Sequence, residues 1–285
     1  AVAALLGCAP GAFQEVPVVP GPGVQPAPPT DGMPAGQVPE TADTLRAVAM
    51  VGYTVRPAER GFSEERMRQL RMPDGFRIDV FANELTNPRT LLVMENGDVY
   101  VAEREAGRVT LLRDTNGDGR ADVRRHVVTG IGEDLAGVHG LATDGRRLFM
   151  VTDRELYVAD LGEDGNVGEA QRVIDDLPDG GQHPNRTMRY RDGVLYLSLG
   201  STCNACPEPN EEAATMVRVD PDTWQREIFA EGLRNTIGFD WHPQTGAFWG
   251  MDHATDWRGD AFPREELNLL QEGRHYGWPF CAEKQ

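Results

Sequence analysis

The sequence predicts an all-β propeller, and three observations carry that reading. Four segments repeat one plan, a glycine-containing turn followed by a short apolar run. They are Asn96-Gly97-Asp98 before Val99–Ala102, Asp144-Gly145 before Arg147–Val151, Asp192-Gly193 before Val194–Leu197, and Thr245-Gly246 before Ala247–Met251. The turn glycines Gly97, Gly145, Gly193 and Gly246 stand 48, 48 and 53 residues apart. A period near fifty with several short strands per unit suits a four-stranded blade, which buries its faces only against neighbouring blades. Finally, 32 Gly and 20 Pro among 285 residues favour many turns over long helices. A β-sandwich would place turns every 8–12 residues or so without the fifty-residue echo.

In chain order, the first eight residues, AVAALLGC, form an apolar run ending in a small residue and cysteine. This matches the end of a bacterial lipoprotein signal, with Cys8 as the lipidated residue, and implies export to the periplasmic side or the outer membrane. Residues 9–40 hold nine prolines and five glycines without Lys or Arg, the composition of an extended spacer, so 9–60 reads as a flexible linker. Ser63 followed by Glu64, Glu65 and later Arg66 and Arg68 predicts one short helix within 61–72, with a serine cap and charges that suit its dipole. The propeller occupies 73–285. That span holds about four units of the repeat, fewer than a closed ring needs, so the propeller is expected to continue past Gln285.

The formal net charge of −17, from 28 Lys+Arg and 45 Asp+Glu, excludes a nucleic-acid binder and an electrostatic membrane anchor. Membrane association is left to the lipid on Cys8. The expected partner is small.

In a propeller, the loops leading into the innermost strands gather on one face. Those loops are read here as Asn87-Pro88, Val138-His139, Gln182-His183 and Arg234-Asn235, with steps of 52, 44 and 52 between the marked residues 87, 139, 183 and 235. An imidazole, a guanidinium and several amides at one channel mouth suit a polar, anionic ligand. Separately, Asp114-Thr115-Asn116-Gly117-Asp118-Gly119 matches the start of a calcium loop, with Asp114, Asn116, Asp118 and Asp122 as candidate ligands. Arg125 stands where a helix-flanked loop would carry glutamate, so this reads as an interstrand loop that either binds calcium or forms a solvated turn. Cys203-Asn204-Ala205-Cys206 lacks the following histidine of a haem attachment, and one such pair cannot complete a zinc site. A short structural disulfide, Cys203 to Cys206, is the expectation for an exported chain.

Gly181-Gln182-His183, Gly232-Leu233-Arg234-Asn235, and Glu266-Leu267-Asn268 followed by Tyr276-Gly277-Trp278-Pro279 resemble, in order and spacing, the soluble glucose/sorbosone dehydrogenase family. The resemblance spans roughly Pro73 to Cys281. It implies a six-bladed propeller, of which this chain holds about four blades, with pyrroloquinoline quinone (PQQ) and calcium as cofactors. It implies oxidation of an aldose or sugar aldehyde, with electrons leaving to an external cytochrome or quinone. His183 would be the general base, and Arg234 would stabilise negative charge on the quinone. Gln182, Arg234, Asn235 and Asp98 would line the cofactor, although a carboxylate at Asp98 beside an anionic quinone departs from the family's glutamine. Main-chain carbonyls of Ala254 and Thr255 would hold calcium, and Glu266 and Tyr276 a second calcium. The family's lysine and paired arginines that clamp the cofactor fall in later blades. The rival readings are a calcium-dependent sugar lactonase and a non-catalytic carbohydrate-binding propeller.

Overall fold

The computed structural model describes residues 60–132, 137–256 and 263–280. Cys8 and almost all of the Pro-rich stretch lie outside these residues. The chain divides into two units, Ala1–Leu70 and Arg71–Gln285. In the first, α1 (Glu64–Arg68) forms where the capping pattern predicts it, with the Arg66 N–H donating to Ser63 Oγ at 3.2 Å. No helix among the described residues is long and apolar enough to cross a membrane.

The second unit is four antiparallel blades. The first is β1 (Pro88–Val93), β2 (Val99–Glu103), β3 (Arg108–Arg113) and β4 (Val123–Val128). The second is β5 (Gly140–Thr143), β6 (Arg147–Val151), β7 (Leu156–Asp160) and β8 (Gln171–Ile174). The third is β9 (Met188–Arg191), β10 (Val194–Leu199), β11 (Thr215–Val219) and β12 (Arg226–Glu231). The fourth has three strands, β13 (Thr236–Trp241), β14 (Phe248–Asp252) and β15 (Glu266–Leu269). The chain then turns back, and β16 (Arg274–His275) joins β12 in parallel as a fifth strand of the third blade.

The fifty-residue echo has a backbone cause. Gly97, Gly145, Gly193 and Gly246 sit in the hairpins between the first and second strands of successive blades, at φ of +88°, +89°, +86° and +67°. Side chains rarely tolerate this left-handed region, so glycine recurs at the same place in each unit.

Strand alternation sends each blade's apolar side chains toward both neighbours. From β6, Leu148 and Met150 pack with Tyr100, Leu111 and Leu141, while Phe149 and Val151 pack with Leu195, Leu197 and Val217. Between the third and fourth blades the filling is aromatic, with Trp241 stacked on Phe248 at 4.4 Å and Tyr196 edge-on to Phe248 at 5.2 Å. Such pairs add about 0.5–1.5 kcal/mol each beyond area burial. The outer faces of the set differ: Leu91 and Val93 on β1 are 58% and 65% exposed, and Leu267 on β15 is 61% exposed.

Candidate functional site

The inner strands lie side by side, β5 against both β1 and β9. Thr187 Oγ1 donates to Ile237 O at 2.7 Å and so joins β9 to β13. The loops ahead of these strands therefore share one rim. The equivalences read from spacing need one correction. β9 begins at Met188, so Thr187 takes the place corresponding to Asn87, His139 and Asn235, and the steps are 52, 48 and 48. His183 reaches the rim from four residues further upstream, on a loop whose path is set by a group that spacing did not reveal.

That group is Arg186. Its guanidinium is wholly buried and donates to Asp153 O at 3.0 Å, Pro178 O at 2.6 Å and His183 O at 3.4 Å, and it forms an ion pair with Asp153 Oδ1 at 3.2 Å. Burial lowers its pKa to about 10, so the cation persists at neutral pH. Asp153 Oδ1 in turn accepts the Gly180 N–H at 3.0 Å. The hub thus ties both ends of the 178–183 loop to the second blade.

His183 is 9% exposed, and its Nδ1 lies 2.8 Å from both Ser201 O and Ser201 Oγ. A carbonyl only accepts, and the Ser201 hydroxyl donates to Cys203 O at 2.8 Å, so Nδ1 carries the hydrogen. Nε2 then keeps its lone pair. Burial, chiefly, pushes the imidazole below its usual pKa, with the Arg234 charge adding to the effect, so His183 is neutral at pH 7. Ser201 also ties His183 to the main chain of Arg234, because its N–H donates to Arg234 O at 2.7 Å.

Arg234 is 2% exposed. Its Nε donates to Asn204 O at 2.9 Å, Nη1 to His253 O at 3.1 Å, and Nη2 to Asn204 Oδ1 at 2.8 Å and Asp256 Oδ2 at 3.4 Å. The backbone of the Arg234-Asn235 pair is fixed by Asp252 at the end of β14, which accepts both N–H groups at 3.0 and 2.8 Å and the Thr236 hydroxyl at 2.9 Å. Burial raises Asp252 to about 6 against those hydrogen bonds. Asn235 faces His183 across Gly200: a Cβ there would stand 2.7 Å from His183 Cβ and 3.3 Å from Asn235 Oδ1, so only glycine admits the approach. Gln182 is exposed beside His183, with its N–H held by Thr202 O at 2.9 Å.

Next to Arg234, a cavity of about 40 Å³ is lined by Asp252, Ala254, Thr255, Glu266, Tyr276 and Trp278, among others. Thr255 Oγ1 is buried there without a hydrogen-bond partner. The Asp252 and Glu266 carboxylates and the Thr255 hydroxyl are the oxygen groups there that suit a hard cation such as calcium, although the Arg234 guanidinium and the unpartnered Trp278 Nε1–H line the same space. The expected second calcium does not follow: Glu266 opens on this same cavity, and the Tyr276 hydroxyl is engaged, donating to Leu269 O at 2.6 Å and accepting from the Gln271 N–H at 2.8 Å.

Two sequence-derived assignments lie elsewhere. Asp98 is in the β1–β2 hairpin, at the opposite end of the blade from Asn87, where Arg113 grips its carboxylate through two hydrogen bonds. Because β1 and β2 run antiparallel, Glu103, not Asp98, pairs back beside Pro88. Asp98 instead borders a separate cavity of about 560 Å³. Asp114, Asn116, Asp118 and Asp122 lie in the β3–β4 connection with their side-chain oxygens turned onto the loop itself. Asp114 accepts the Gly117 and Gly119 N–H groups at 2.7 and 2.8 Å, Asn116 that of Asp118, Asp118 that of Arg120, and Asp122 the Thr115 hydroxyl at 2.6 Å. Among the described residues, the one group of three or more His, Cys, Asp and Glu ligand atoms within 4.8 Å of each other is Cys203, Cys206 and Glu208, and its cysteines form a disulfide. The 114–122 stretch is held as a turn by its own side chains.

His139 gives a pH prediction. Its Nδ1 pairs with Arg186 O at 2.8 Å, and burial lowers its pKa from 6.5 to about 4. A depressed folded-state pKa contributes stability above pH 6.5 that is lost as pH falls toward 4, here up to about 3 kcal/mol. Asp252, raised from 3.8 to about 6, runs the other way, since its protonation relieves a burial cost as pH falls over much of the same window. The wild-type stability curve should therefore be shallow between pH 6 and 4. His139→Asn, which keeps a donor for Arg186 O, should gain about 3 kcal/mol on wild type between pH 7 and pH 4 in urea unfolding. A gap that does not change with pH would refute the burial of a neutral imidazole.

Fold and rim together define a β-propeller that brings an imidazole, a guanidinium and a small cavity to one rim. The TrAA12-like family matches residues 70–284, and the chain belongs to it. A Hypocrea jecorina protein named pyrroloquinoline quinone-dependent sugar dehydrogenase is 24% identical over 245 residues, covering 73% of this chain and 56% of that protein. The calcium structure of the Trichoderma reesei family AA12 enzyme superposes with TM-score 0.63 at 22% identity, over 74% of this chain and 60% of that one. The holo form of the PQQ domain of Coprinopsis cinerea pyranose dehydrogenase gives 0.61 at 19%, over 71% and 55%. The chain thus spans somewhat over half the length of these relatives.

Proposed function

We propose that this chain carries the base and the cofactor-facing rim of a PQQ- and calcium-dependent dehydrogenase that oxidises an aldose or sugar aldehyde, passing electrons to an external acceptor. The observation that carries the reading is the locked tautomer of His183, whose Nδ1–H is tied to Ser201 and whose Nε2 is left to accept a proton beside a buried guanidinium. Sugar oxidation removes an O–H proton while hydride leaves the same carbon, and a neutral imidazole performs the first task near pH 7. When bound, the quinone supplies the hydride acceptor. Arg234 provides a fixed positive charge that needs no reorganisation, and the Asn235 amide adds hydrogen-bonding capacity across Gly200. The Ala254 and Thr255 carbonyls, Thr255 Oγ1 and Glu266 would hold the cation. The other bound components supported by the relatives' names are PQQ and a sugar.

The test is reconstitution with PQQ and calcium chloride. Saturable quenching of tryptophan fluorescence and aldose-dependent reduction of a redox dye are expected. Hydrolysis of sugar lactones without quinone binding would instead favour the lactonase reading.

A further inference from the structure

The Arg234 guanidinium is held chiefly by one residue that the reading above does not use. Asn204 accepts from Nε through its main-chain oxygen and from Nη2 through Oδ1. The same Oδ1 accepts the Asp256 N–H at 2.8 Å, so Asn204 also fixes the strand-end loop that carries His253 O and Asp256, the remaining partners of Arg234. Four hydrogen bonds occupy the guanidinium, and of its five N–H groups one is left to meet a ligand.

Asn204 has no strand to support it. It sits at the tip of a turn closed by the Cys203–Cys206 disulfide. One end of that turn is pinned by Ser201 Oγ donating to Cys203 O, and the flanking Thr202 is pinned by its N–H and hydroxyl donating to Glu208 at 3.0 and 2.8 Å. Ser201 is also the residue that orients His183, so the turn touches both functional groups. Both cysteines are part-exposed, within reach of a soluble reductant.

We propose that Asn204 is the positioning residue for Arg234, and that the Cys203–Cys206 bond is the latch that keeps Asn204 in place, making the rim sensitive to thiols. Opening the latch takes a dithiol reductant, which supplies two electrons and two protons. The Sγ–Sγ bond breaks, each cysteine leaves as a thiol, and the reductant closes to its own disulfide. Released from its two-point hold, the guanidinium exchanges a fixed geometry for mobility, the loss that preorganised charge stabilisation tolerates least.

The inference rests on the proposed function for its consequence, but its test needs no cofactor. Arginine accessibility is read by phenylglyoxal labelling and peptide mass spectrometry, with Arg186 as the internal control because it is equally buried and does not touch the turn. In the oxidised protein both arginines should resist labelling. After reduction with dithiothreitol and capping of the thiols, labelling of Arg234 should rise at least about tenfold while Arg186 stays protected. Asn204→Ala should raise it without reductant, and Asn204→Asp, which keeps the side-chain acceptor, should restore protection. Parallel labelling of Arg186 would mean general opening of the fold and overturn the proposal. An unchanged Arg234 in the reduced protein or in Asn204→Ala, or failure of Asn204→Asp to protect, would overturn it as well. A positive labelling result without PQQ binding by fluorescence would leave the latch standing and remove the proposed function instead.

Discussion

Replacing His183 by alanine is expected to lower PQQ-dependent dye reduction by about 10²–10⁴-fold, the usual loss when a positioned general base is removed. The loss should fall on kcat, with quinone binding followed by fluorescence little changed, because His183 is assigned to proton transfer and not to holding the cofactor. The pH profile gives an independent reading. Burial and the neighbouring Arg234 depress the imidazole pKa, so the unprotonated, active form persists below the ordinary value of 6.5. The wild-type rate should hold its plateau to below pH 6.5 and then decline as the ring is protonated. The residual rate of His183→Ala should lack that limb. Equal kcat in wild type and variant would remove His183 from the reaction.

The second large effect is structural. Arg186→Leu keeps much of the side-chain volume but strips donors from three carbonyls and leaves Asp153 as a buried carboxylate without its cation. Breaking a buried pair from one side costs about 3–5 kcal/mol. For a unit of this size that is a fall of about 10 °C in the unfolding midpoint, measurable by calorimetry. Burial already raises the Asp153 pKa with Arg186 present, so in the variant the carboxyl should take up a proton more readily, and the deficit should shrink in acid. A loss under about 1 kcal/mol would show that the 178–183 loop is held by something other than this hub.

These expectations mark what the amino-acid order makes legible. The blade repeat could be read because its cause is local: a hairpin that needs positive φ demands glycine, and the demand recurs at each blade. His183, Arg234 and Asn235 could be singled out because they lie in motifs just ahead of inner strands. The Cys203–Cys206 bond was legible from its spacing and from what that spacing excludes. Ser201, Arg186 and Asp252 were not legible, because their roles are made by contacts between segments 17 to 33 residues apart, such as Arg186 to Asp153 and Asp252 to Asn235. A buried arginine looks like any arginine in a sequence. Asp98 was misplaced because the family resemblance put the cofactor-facing position on the β1–β2 hairpin, whereas β1 carries the chain from the Asn87 end of the blade to the opposite end, where Asp98 lies. The 114–122 pattern of alternating acids left two readings open because Asx turns use the same residue types as a calcium loop.

The parallel strand β16 bears on the order in which the rim can be completed during synthesis. Tyr276 and Trp278 donate their N–H groups to Glu231 O and Gly232 O, and His275 packs where any side chain on Gly232 would have to sit. The segment ahead of Arg234 therefore acquires its backing from residues made some forty positions later, after the whole of the fourth blade has left the ribosome. A nascent chain halted near residue 270 would carry the imidazole and the guanidinium yet leave their supporting wall unbuilt.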